Sequence, residues 1–309
     1  MQIHEGSADF PSIKVPVVTS GTFDGVHIGH QKILERIHEI ALREGGETVL
    51  LTYWPHPRMV LNPNDDTLRL LSTFEEKAEL LAENGIHHLV KIPFTREFAQ
   101  TTSEQFIRQV IVEDIGTQKL VIGYDHRFGR NREGSFEALK ADAPTYGFTV
   151  EEIPRQDIDD VGVSSTKIRK ALEDGDVGLA REYLGRPYDM RGIVVKGDQL
   201  GRTLGFPTAN LDLQSPQKLI PADGIYAVHV HHGNTRLHGM LYIGPRPTIN
   251  GQHRRIEVNL FDFSGDLYGE TLKVEFIART RGDEKLDGLE ALKARLGQDE
   301  VETRAILEK

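Results

Sequence analysis

Hydrophobic positions follow two different spacings along this chain. Between residues 15 and 187, short apolar runs alternate with segments in which apolar side chains recur every three or four residues. Such alternation predicts strands separated by helices. Beyond Pro187 the apolar period changes to two, as in residues 225–231 and 256–260, which indicates strands with one buried face. We therefore predict an α/β domain over residues 1–187 and a mostly β domain over residues 188–309.

The first domain is expected to be a doubly wound parallel sheet. Its apolar runs predict strands over residues 15–18, 48–54, 88–93 and 119–123. The helical spacing predicts helices over residues 31–43, 74–84 and 103–114. Thr102 and Gln105 have the spacing of a capping box at the start of the last of these.

The second domain is expected to be a small antiparallel β-barrel with a C-terminal helix on its outside. Strands are predicted over residues 192–196, 225–231, 237–243, 256–260 and 271–277. The last helix is predicted to carry four leucines on one face, namely Leu286, Leu289, Leu292 and Leu296.

Composition supports two soluble domains and removes some kinds of chemistry. The 309 residues are 38% hydrophobic, which is enough for two separate cores. The chain has no cysteine, so disulfides, thiolate metal sites and a cysteine nucleophile are excluded. It has no apolar run of about 18 residues and no apolar stretch typical of a signal peptide at its start. We therefore expect a cytoplasmic protein that does not associate with membranes.

The charge is acidic and unevenly divided. The net charge is −10, with 21 Lys and Arg against 30 Asp and Glu up to Pro187, and 16 against 17 beyond it. An acidic chain without a basic stripe is a poor partner for a nucleic-acid backbone. We therefore expect no nucleic-acid partner, and we expect any phosphate that the protein binds to belong to a small molecule.

A glycine-containing turn and two histidines form the first candidate site. The segment from Gly21 to His30 follows a predicted strand and runs directly into a helix, so its amides point toward an anion. His27 and His30 could both reach one triphosphate and stabilise charge that develops on its α-phosphate and on the departing pyrophosphate. A structural role in the turn is the alternative for both histidines.

A second segment strengthens the interpretation of an anion site. Ser164 and Ser165 stand at a predicted helix start, and Arg169 follows Ser165 by one helical turn, so that hydroxyl, amides and guanidinium could face one phosphate. An ordinary helix cap with a solvated arginine is the alternative. The chain has no P-loop sequence. His56 and Asp125 also follow predicted strands, and each could contact substrate or only form a turn or cap.

The second candidate site lies in a loop with three glycines spaced four residues apart, Gly197, Gly201 and Gly205. Such a loop can wrap a phosphate with its amides. The Thr208 hydroxyl and the Asn210 carbonyl are oxygen ligands suited to Mg²⁺. A long hairpin loop without a ligand is the alternative.

Glu257 is the candidate catalytic group of this second site. On its predicted strand it alternates with Ile256 and Val258, so the simplest expectation is a solvent-facing side chain. A kinase that acts on a primary alcohol nevertheless needs a carboxylate to orient or deprotonate the hydroxyl. Four nearby histidines suggest a metal site, but the Gly233-Asn234 turn favours an exposed hairpin; they are His229, His231, His232 and His238.

These motifs together resemble the bacterial bifunctional riboflavin kinase/FAD synthetase family over nearly the whole chain. Five landmarks occur in the family's order: Gly-Thr-Phe-Asp-Gly-Val-His-Ile-Gly-His from Gly21, Ser-Ser-Thr-Lys-Ile-Arg from Ser164, Leu-Gly-Arg-Pro-Tyr from Leu184, Gly-Arg-Thr-Leu-Gly-Phe-Pro-Thr-Ala-Asn-Leu from Gly201, and the strand of Glu257. The resemblance implies a nucleotidyltransferase domain that adenylylates FMN to FAD, followed by a kinase domain that phosphorylates riboflavin. ATP is the implied co-substrate of both, and Mg²⁺ the implied cofactor.

The resemblance also implies which residues bind the substrates. For ATP in the adenylyltransferase they are Gly21, Phe23, Asp24, His27, His30, Asp125, Ser165, Thr166 and Arg169. For ATP in the kinase they are Gly197, Gly201, Arg202, Gly205, Thr208 and Asn210, with Thr208 and Asn210 also as metal ligands and Arg281 as a flavin contact.

Three positions depart from the family pattern. Gly162 stands where an arginine is common, Arg246 replaces a common asparagine and Leu286 replaces a common phenylalanine, whereas Arg281 and Lys285 match. No proposed catalytic group is missing. Two alternatives stay open: a chain with one degenerate half, and a riboflavin kinase whose first domain only senses nucleotides.

Overall fold

A computed structural model describes residues 1–65, 67–123, 136–153, 162–197, 199–245 and 254–308. The chain divides into two compact units, Met1–Ser165 and Thr166–Lys309.

The first unit is a six-stranded sheet with helices. Its strands are β1 (Gln2–Glu5), β2 (Pro16–Ser20), β3 (Glu47–Trp54), β4 (His88–Pro93), β5 (Lys119–Gly123) and β6 (Thr149–Ile153). Its helices are α1 (Ile28–Glu44), α2 (Pro57–Leu61), α3 (Phe74–Glu83), α4 (Ser103–Phe106), which a π-helix (Ile107–Asp114) continues, and α5 (Phe136–Asp142).

All strand pairs of this sheet are parallel, and the spatial order is β1-β4-β3-β2-β5-β6. From β2 the chain moves outward through β3 to β4 on one side and then returns to place β5 on the other side. The carboxyl ends of β2 and β5 therefore flank the switch point where open α/β sheets bind ligands. The loop after β2, which carries His27, begins at this point.

Alternation along the strands supplies two hydrophobic cores. Val17 packs in a cluster with Leu34 and Ile37 of α1, whereas its neighbour Val18 packs in a different cluster with Ile111. Because successive side chains of a strand point to opposite faces, this arrangement places helices on both faces of the sheet.

The second unit contains a closed six-stranded antiparallel barrel with the spatial order β10-β11-β8-β7-β12-β9. Its helices are α6 (Ser165–Glu173, of which Ser165 belongs to the first unit), α7 (Val177–Leu184), α8 (Leu200–Leu204) and α9 (Leu289–Leu307). Its strands are β7 (Tyr188–Val195), β8 (Ala209–Asp212), β9 (Gly224–His232), β10 (Thr235–Pro245), β11 (Arg254–Leu260) and β12 (Thr271–Gly282).

The barrel strands have one face inside and one face partly covered by α9. Tyr226 and Phe276 are fully buried with ring centroids 5.1 Å apart, and they fill the interior. The neighbouring Ile225 instead packs with Met240 and with Leu307 of α9. The helix therefore covers part of the outer barrel surface.

The predicted fold class is confirmed, and the capping box of Thr102 and Gln105 is present. Some boundaries were wrong. Leu286 precedes α9, because the helix begins after Gly288, whose φ of 91° is not helical. The sequence patterns did not predict seven of these strands and α-helices, namely β1, β6, β8, α2, α5, α7 and α8. The domain boundary at residue 187 stays a prediction, although α6 and α7 precede that residue and lie almost wholly in the second unit.

Candidate active sites

The loop after β2 brings the two predicted histidines together at the start of α1. His27 is the N-cap residue of the helix, and its Nδ1 accepts a hydrogen bond from the His30 amide at 3.3 Å. The two imidazole rings are stacked, with centroids 3.6 Å apart and planes 15° apart. Gly21 ties the beginning of the loop to β3, because its amide donates to the Leu51 carbonyl at 3.0 Å. Both imidazoles therefore lie at the positive end of a 17-residue helix.

His30 lies in an apolar and electropositive environment. The ring of Phe23 is 4.8 Å from its ring, centroid to centroid, and its Nδ1 atom is buried without a hydrogen-bond partner among the described residues. Burial first, and then the charges of His27 and Lys77, hold the pKa of His30 well below 6.5. The imidazole is therefore neutral at physiological pH.

Asp24 holds this loop to the segment before α3. Its carboxylate is 4% exposed and accepts hydrogen bonds from the amides of Leu71 at 3.0 Å and Ser72 at 3.2 Å. The Ser72 hydroxyl in turn accepts from the Gly25 amide at 3.2 Å. These contacts explain Asp24 as an anchor of the loop, and its expected contact with ATP stays a prediction.

Lys77 is a residue of this site that the sequence analysis missed. Its side chain is buried, and its ammonium donates to the Thr22 carbonyl at 3.1 Å and to the Thr52 hydroxyl at 3.0 Å. From the sequence alone, Lys77 is expected to be solvent-exposed, because it stands in a helix rich in charged residues. Its position in the sequence nevertheless indicates burial, because Lys77 stands three residues after Phe74 and four before Leu81, on the buried face of α3.

The second predicted segment contacts this loop through Ser165. Ser165 begins α6, and its hydroxyl donates to the Asp24 carbonyl at 3.0 Å. Thr166, which is exposed, and Arg169 follow on the same helix but belong to the second compact unit, so their expected contacts with ATP stay predictions. Asp125 lies outside the described residues. His56 is the N-cap of α2, which fits the turn interpretation of that residue.

The second unit contains a cavity of about 490 Å³ on the outer face of the barrel. Its apolar lining comes from the barrel, from α8 and from α9, with Leu204, Phe206, Ile225, Met240, Leu292 and Leu296. Its polar lining includes Thr208, Tyr242, Arg255, Glu257, Asn259 and Arg281. A mostly apolar cavity with a few convergent polar groups is the usual form of a small-molecule site.

Glu257 is a half-buried member of this cavity and not a solvated strand residue. Its Oε2 atom accepts a hydrogen bond from the Thr208 hydroxyl at 3.1 Å, and its Oε1 atom lies 3.5 Å from a terminal nitrogen of Arg255. The structure therefore joins the candidate catalytic carboxylate to a candidate metal ligand. Arg255 was missed in the sequence, although its two-residue spacing from Glu257 places both on one face of β11.

Close packing explains two of the three glycines of the predicted loop, and a left-handed φ of 90° explains the third, Gly205. A Cβ atom on Gly197 would lie 2.2 Å from the side-chain nitrogen of Asn210, and one on Gly201 would lie 2.3 Å from the backbone carbonyl oxygen of Phe206. The loop is shorter than predicted, because α8 lies within it and ends at Gly205. Gly201 lines the cavity, whereas Arg202 is exposed on α8 outside the lining.

The oxygen atoms near Glu257 fit a magnesium ion that is shared with phosphates. Asn210 pairs with Glu257 in the register of β8 and β11, and Thr208 stands two residues before it. Among the described residues, no group of three or more His, Asp or Glu could enclose a metal. Mg²⁺ is typically held by one or two protein oxygens together with substrate phosphates, and this donor set fits that pattern. The role of Thr208 and Asn210 as metal ligands stays a prediction.

Arg281, the predicted flavin contact, lines the cavity and forms an ion pair with Asp299. Its Nε and one terminal nitrogen each donate to a different carboxylate oxygen of Asp299 at 2.8 Å. Asp299 is completely buried and also lies 3.3 Å from Arg295. Such a two-point contact fixes the plane of the guanidinium before any ligand arrives.

The histidine-rich hairpin is only partly as expected. Gly233 and Asn234 form the turn between β9 and β10, as predicted. His229 is nevertheless buried, at 9% exposure, and His231 pairs with Glu275 at 3.1 Å, so the expectation of an exposed hairpin was wrong for His229. In the described part of the chain these histidines form no metal cluster.

No helix in the described ranges is both long enough and apolar enough to cross a membrane.

Comparisons with known proteins assign the two regions to two families in chain order. The family model for FAD synthetase matches residues 11–167, and the family model for riboflavin kinase matches residues 184–307. A bifunctional riboflavin kinase/FMN adenylyltransferase from Escherichia coli (strain K12) is 37% identical over 289 residues, which cover 93% of this chain and 91% of that protein. The protein of the same description from Bacillus subtilis (strain 168) is 36% identical over 291 residues, 93% of this chain and 90% of that one.

A solved structure shows the same fold over almost the full length. It is the crystal structure from Streptococcus pneumoniae described as a macrolide-efflux protein, with a TM-score of 0.88, 32% identity and coverage of 98% of both chains. The two family matches, the full-length relatives and the two sites described above agree on one assignment. This chain belongs to the bifunctional riboflavin kinase/FMN adenylyltransferase family.

Proposed function

We propose that this chain makes both flavin cofactors, phosphorylating riboflavin to FMN in its second unit and adenylylating FMN to FAD in its first. The observation that carries the proposal is the Thr208–Glu257 hydrogen bond of 3.1 Å inside a largely apolar cavity. The bond joins the Glu257 carboxylate, which could orient a substrate hydroxyl, to the Thr208 hydroxyl, whose oxygen could bind a metal ion shared with phosphates.

In the kinase step the ribityl 5′-hydroxyl of riboflavin attacks the γ-phosphorus of ATP. A new O–P bond forms, the bond to the β-phosphate oxygen breaks, and ADP leaves. Glu257 is placed to orient this hydroxyl and to accept its proton, since its carboxylate lies on the cavity wall and Thr208 holds one of its oxygens. The apolar lining suits the flavin ring, and the anchored Arg281 is placed to contact it.

The cofactor proposed for this step is Mg²⁺, which supplies charge neutralisation on the phosphates when bound. Thr208 and Asn210 are the residues that would hold it, for the reasons of chemistry and register given above. We propose the same ion for the adenylyltransferase reaction, because it too acts on a polyphosphate.

In the adenylyl step a phosphate oxygen of FMN attacks the α-phosphorus of ATP, and pyrophosphate leaves. His27 and His30 are placed to donate hydrogen bonds to the charge that develops on these phosphates, together with the positive end of α1. The proposed substrates of the two reactions are thus riboflavin, FMN and ATP, all small molecules, and we expect the enzyme to act in the cytoplasm.

One incubation separates this proposal from its main alternative. The purified chain is incubated with riboflavin, ATP and Mg²⁺, and the flavins are separated by chromatography, with a parallel sample started from FMN. We expect FMN and then FAD from riboflavin, FAD from FMN, and neither product when EDTA removes the metal. FMN without FAD in both samples would instead support a riboflavin kinase with a nucleotide-sensing first domain.

A further inference from the structure

Lys77 is a buried cation directly beneath the loop that carries His27 and His30. Its side chain is 3% exposed, and its ammonium reaches the loop through the Thr22 carbonyl at 3.1 Å. Its second hydrogen bond goes to the Thr52 hydroxyl at 3.0 Å. A lysine is almost never buried to this degree unless its charge is paired or used.

The packing of α3 does not by itself require a lysine at position 77. A methionine could fill the same space against Trp54, whose ring centroid lies 5.1 Å from the ammonium, without the cost of burying a charge. The ammonium instead lies within electrostatic range of Asp24 in the loop and of His30 in α1. A positive charge is thereby kept close to the two imidazoles that are proposed to contact the ATP phosphates.

The loop is held at two points by one short stretch of chain. Asp24 accepts from the amides of Leu71 and Ser72, just before α3, and Lys77 in α3 holds the Thr22 carbonyl. The backbone between these two anchors includes Phe23, which packs on His30. A shift of Lys77 would therefore move Phe23, against which the His30 ring packs.

We infer that Lys77 is a positioning residue for FAD synthesis, which fixes the Thr22–His27 loop and keeps a positive charge beneath the triphosphate site. The inference rests on the proposed adenylyltransferase activity of the first unit. Lys77 acts through the loop and through His30, and it is not assigned a contact with the reacting atoms.

The charge state of Lys77 makes this role measurable. Burial lowers the pKa of Lys77 to about 8, against the opposing effect of Asp24. The ammonium is thus charged below that pH and neutral above it. His30 is already neutral in this range, so the change of charge falls on Lys77. We expect kcat/KM for FAD formation to fall as the pH rises through about 8.

Three variants separate the charge from the hydrogen bond and from packing. Lys77→Met removes charge and hydrogen bond, Lys77→Gln keeps a donor without charge, and Lys77→Arg keeps a charge that does not titrate. Lys91→Met is the matched control, because the Lys91 ammonium lies 4.6 Å from the Phe74 ring but pairs with Glu5 and does not contact the loop.

The full-length enzyme is assayed for FAD formation from FMN and ATP between pH 6 and pH 10, with riboflavin phosphorylation and thermal unfolding measured on the same samples. For Lys77→Met we expect a roughly tenfold to hundredfold fall in kcat at neutral pH, the effect of a displaced active-site group. The alkaline fall of kcat/KM should disappear in Lys77→Met and Lys77→Gln and move to higher pH in Lys77→Arg. The control variant and all riboflavin phosphorylation rates should match the unmodified enzyme.

An alkaline fall that persists unchanged in Lys77→Gln and Lys77→Arg would overturn the inference, as would a folded Lys77→Met with a normal rate of FAD formation. If Lys77→Met does not fold, the pH profiles of the other two variants decide. Absence of FAD formation by the unmodified enzyme would refute the proposed function instead, so the two failures are distinguishable.

Discussion

Thr208 and Glu257 are 49 residues apart in the sequence, and a hydrogen bond of 3.1 Å joins their side chains. The contact exists because β8 and β11 are neighbours in the barrel and place Asn210 opposite Glu257. A carboxylate fixed in this way has one oxygen committed to Thr208, and the other faces Arg255 within the cavity. Its orientation is therefore set before riboflavin binds, as preorganised catalysis requires.

Replacing the carboxylate of Glu257 tests its proposed role in phosphorylation. Glu257→Gln keeps size and hydrogen-bonding shape but removes charge and proton affinity. We expect riboflavin phosphorylation to fall by roughly 10² to 10⁴ in kcat, the usual effect of losing a general base. Riboflavin binding, measured by flavin fluorescence, and FAD formation from supplied FMN should be unchanged.

A barrel glutamate outside the cavity provides the matched control for that variant. Glu275 pairs with His231 at 3.1 Å and does not line the cavity, so Glu275→Gln should leave kcat for riboflavin unaffected. A near-normal kcat in Glu257→Gln would remove its catalytic role, and a selective loss of Mg-ATP binding would reassign it to the metal.

His30→Ala should lower the rate of FAD formation selectively. Loss of one preorganised donor to developing phosphate charge typically lowers kcat by roughly a hundredfold to a thousandfold. Riboflavin phosphorylation should persist, because the residues proposed for it lie in the second compact unit. His38→Ala, on the same helix but outside the loop, is the control and should retain both activities. Equal loss of both activities in folded His30→Ala would contradict the assignment.

The ionisation of His30 leads to a separate expectation for the unmodified enzyme. Burial, with His27 and Lys77, keeps the pKa of His30 well below 6.5, so His30 is neutral from mildly acidic pH upward. We therefore expect no loss of kcat/KM for FAD formation as the pH rises through 6.5, which is the ordinary histidine pKa. A decline centred near that value, absent in His30→Ala, would show that the imidazolium is the active form.

Asp299→Asn should destabilise the second unit and weaken flavin binding together. Removing one partner of a buried ion pair typically costs about 3–5 kcal/mol, because the other charge is left uncompensated. Here that charge is Arg281, which is 14% exposed, lines the cavity and keeps a second partner in Glu284 at 3.4 Å, so we expect the lower end of that range. Urea unfolding and riboflavin titration measure the two effects. Glu302→Gln, which affects an exposed pair with Arg295 on the same helix, should change stability by less than about 1 kcal/mol.

A fragment that begins at residue 166 should be more stable than one that begins at residue 188, and both should phosphorylate riboflavin. The shorter fragment lacks α6 and α7, in which Ile168, Leu172 and Leu184 are fully buried. It also loses the hydrogen bond of 2.9 Å from the Ala222 amide to the Leu172 carbonyl. Urea midpoints of the two fragments measure the difference. Equal midpoints would show that these helices add nothing to the barrel.

The sequence by itself determined the features that depend on neighbouring residues. The switch of apolar period near Pro187 predicted the change from an α/β domain to a barrel, and Thr102 with Gln105 predicted a helix start that the structure contains. The spacing of His27 and His30 placed two imidazoles at the start of a helix. Strand, turn and helix signals are local, because hydrogen bonds and side-chain directions within each element repeat over a few residues.

Only the tertiary structure decided which charged side chains are buried and which of them meet. Lys77 and Asp299 each stand in a charged, helical stretch of sequence that reads as solvent-exposed, yet one is 3% exposed and the other 0%. Glu257 reads as a solvent-facing strand residue, yet Thr208 and Arg255 hold it within a cavity. The elements that cover these side chains come from distant parts of the chain. The pattern of neighbouring residues therefore does not predict their burial. Burial of a charge therefore depends on closure of the barrel and docking of the helices, which the packing of the whole unit sets.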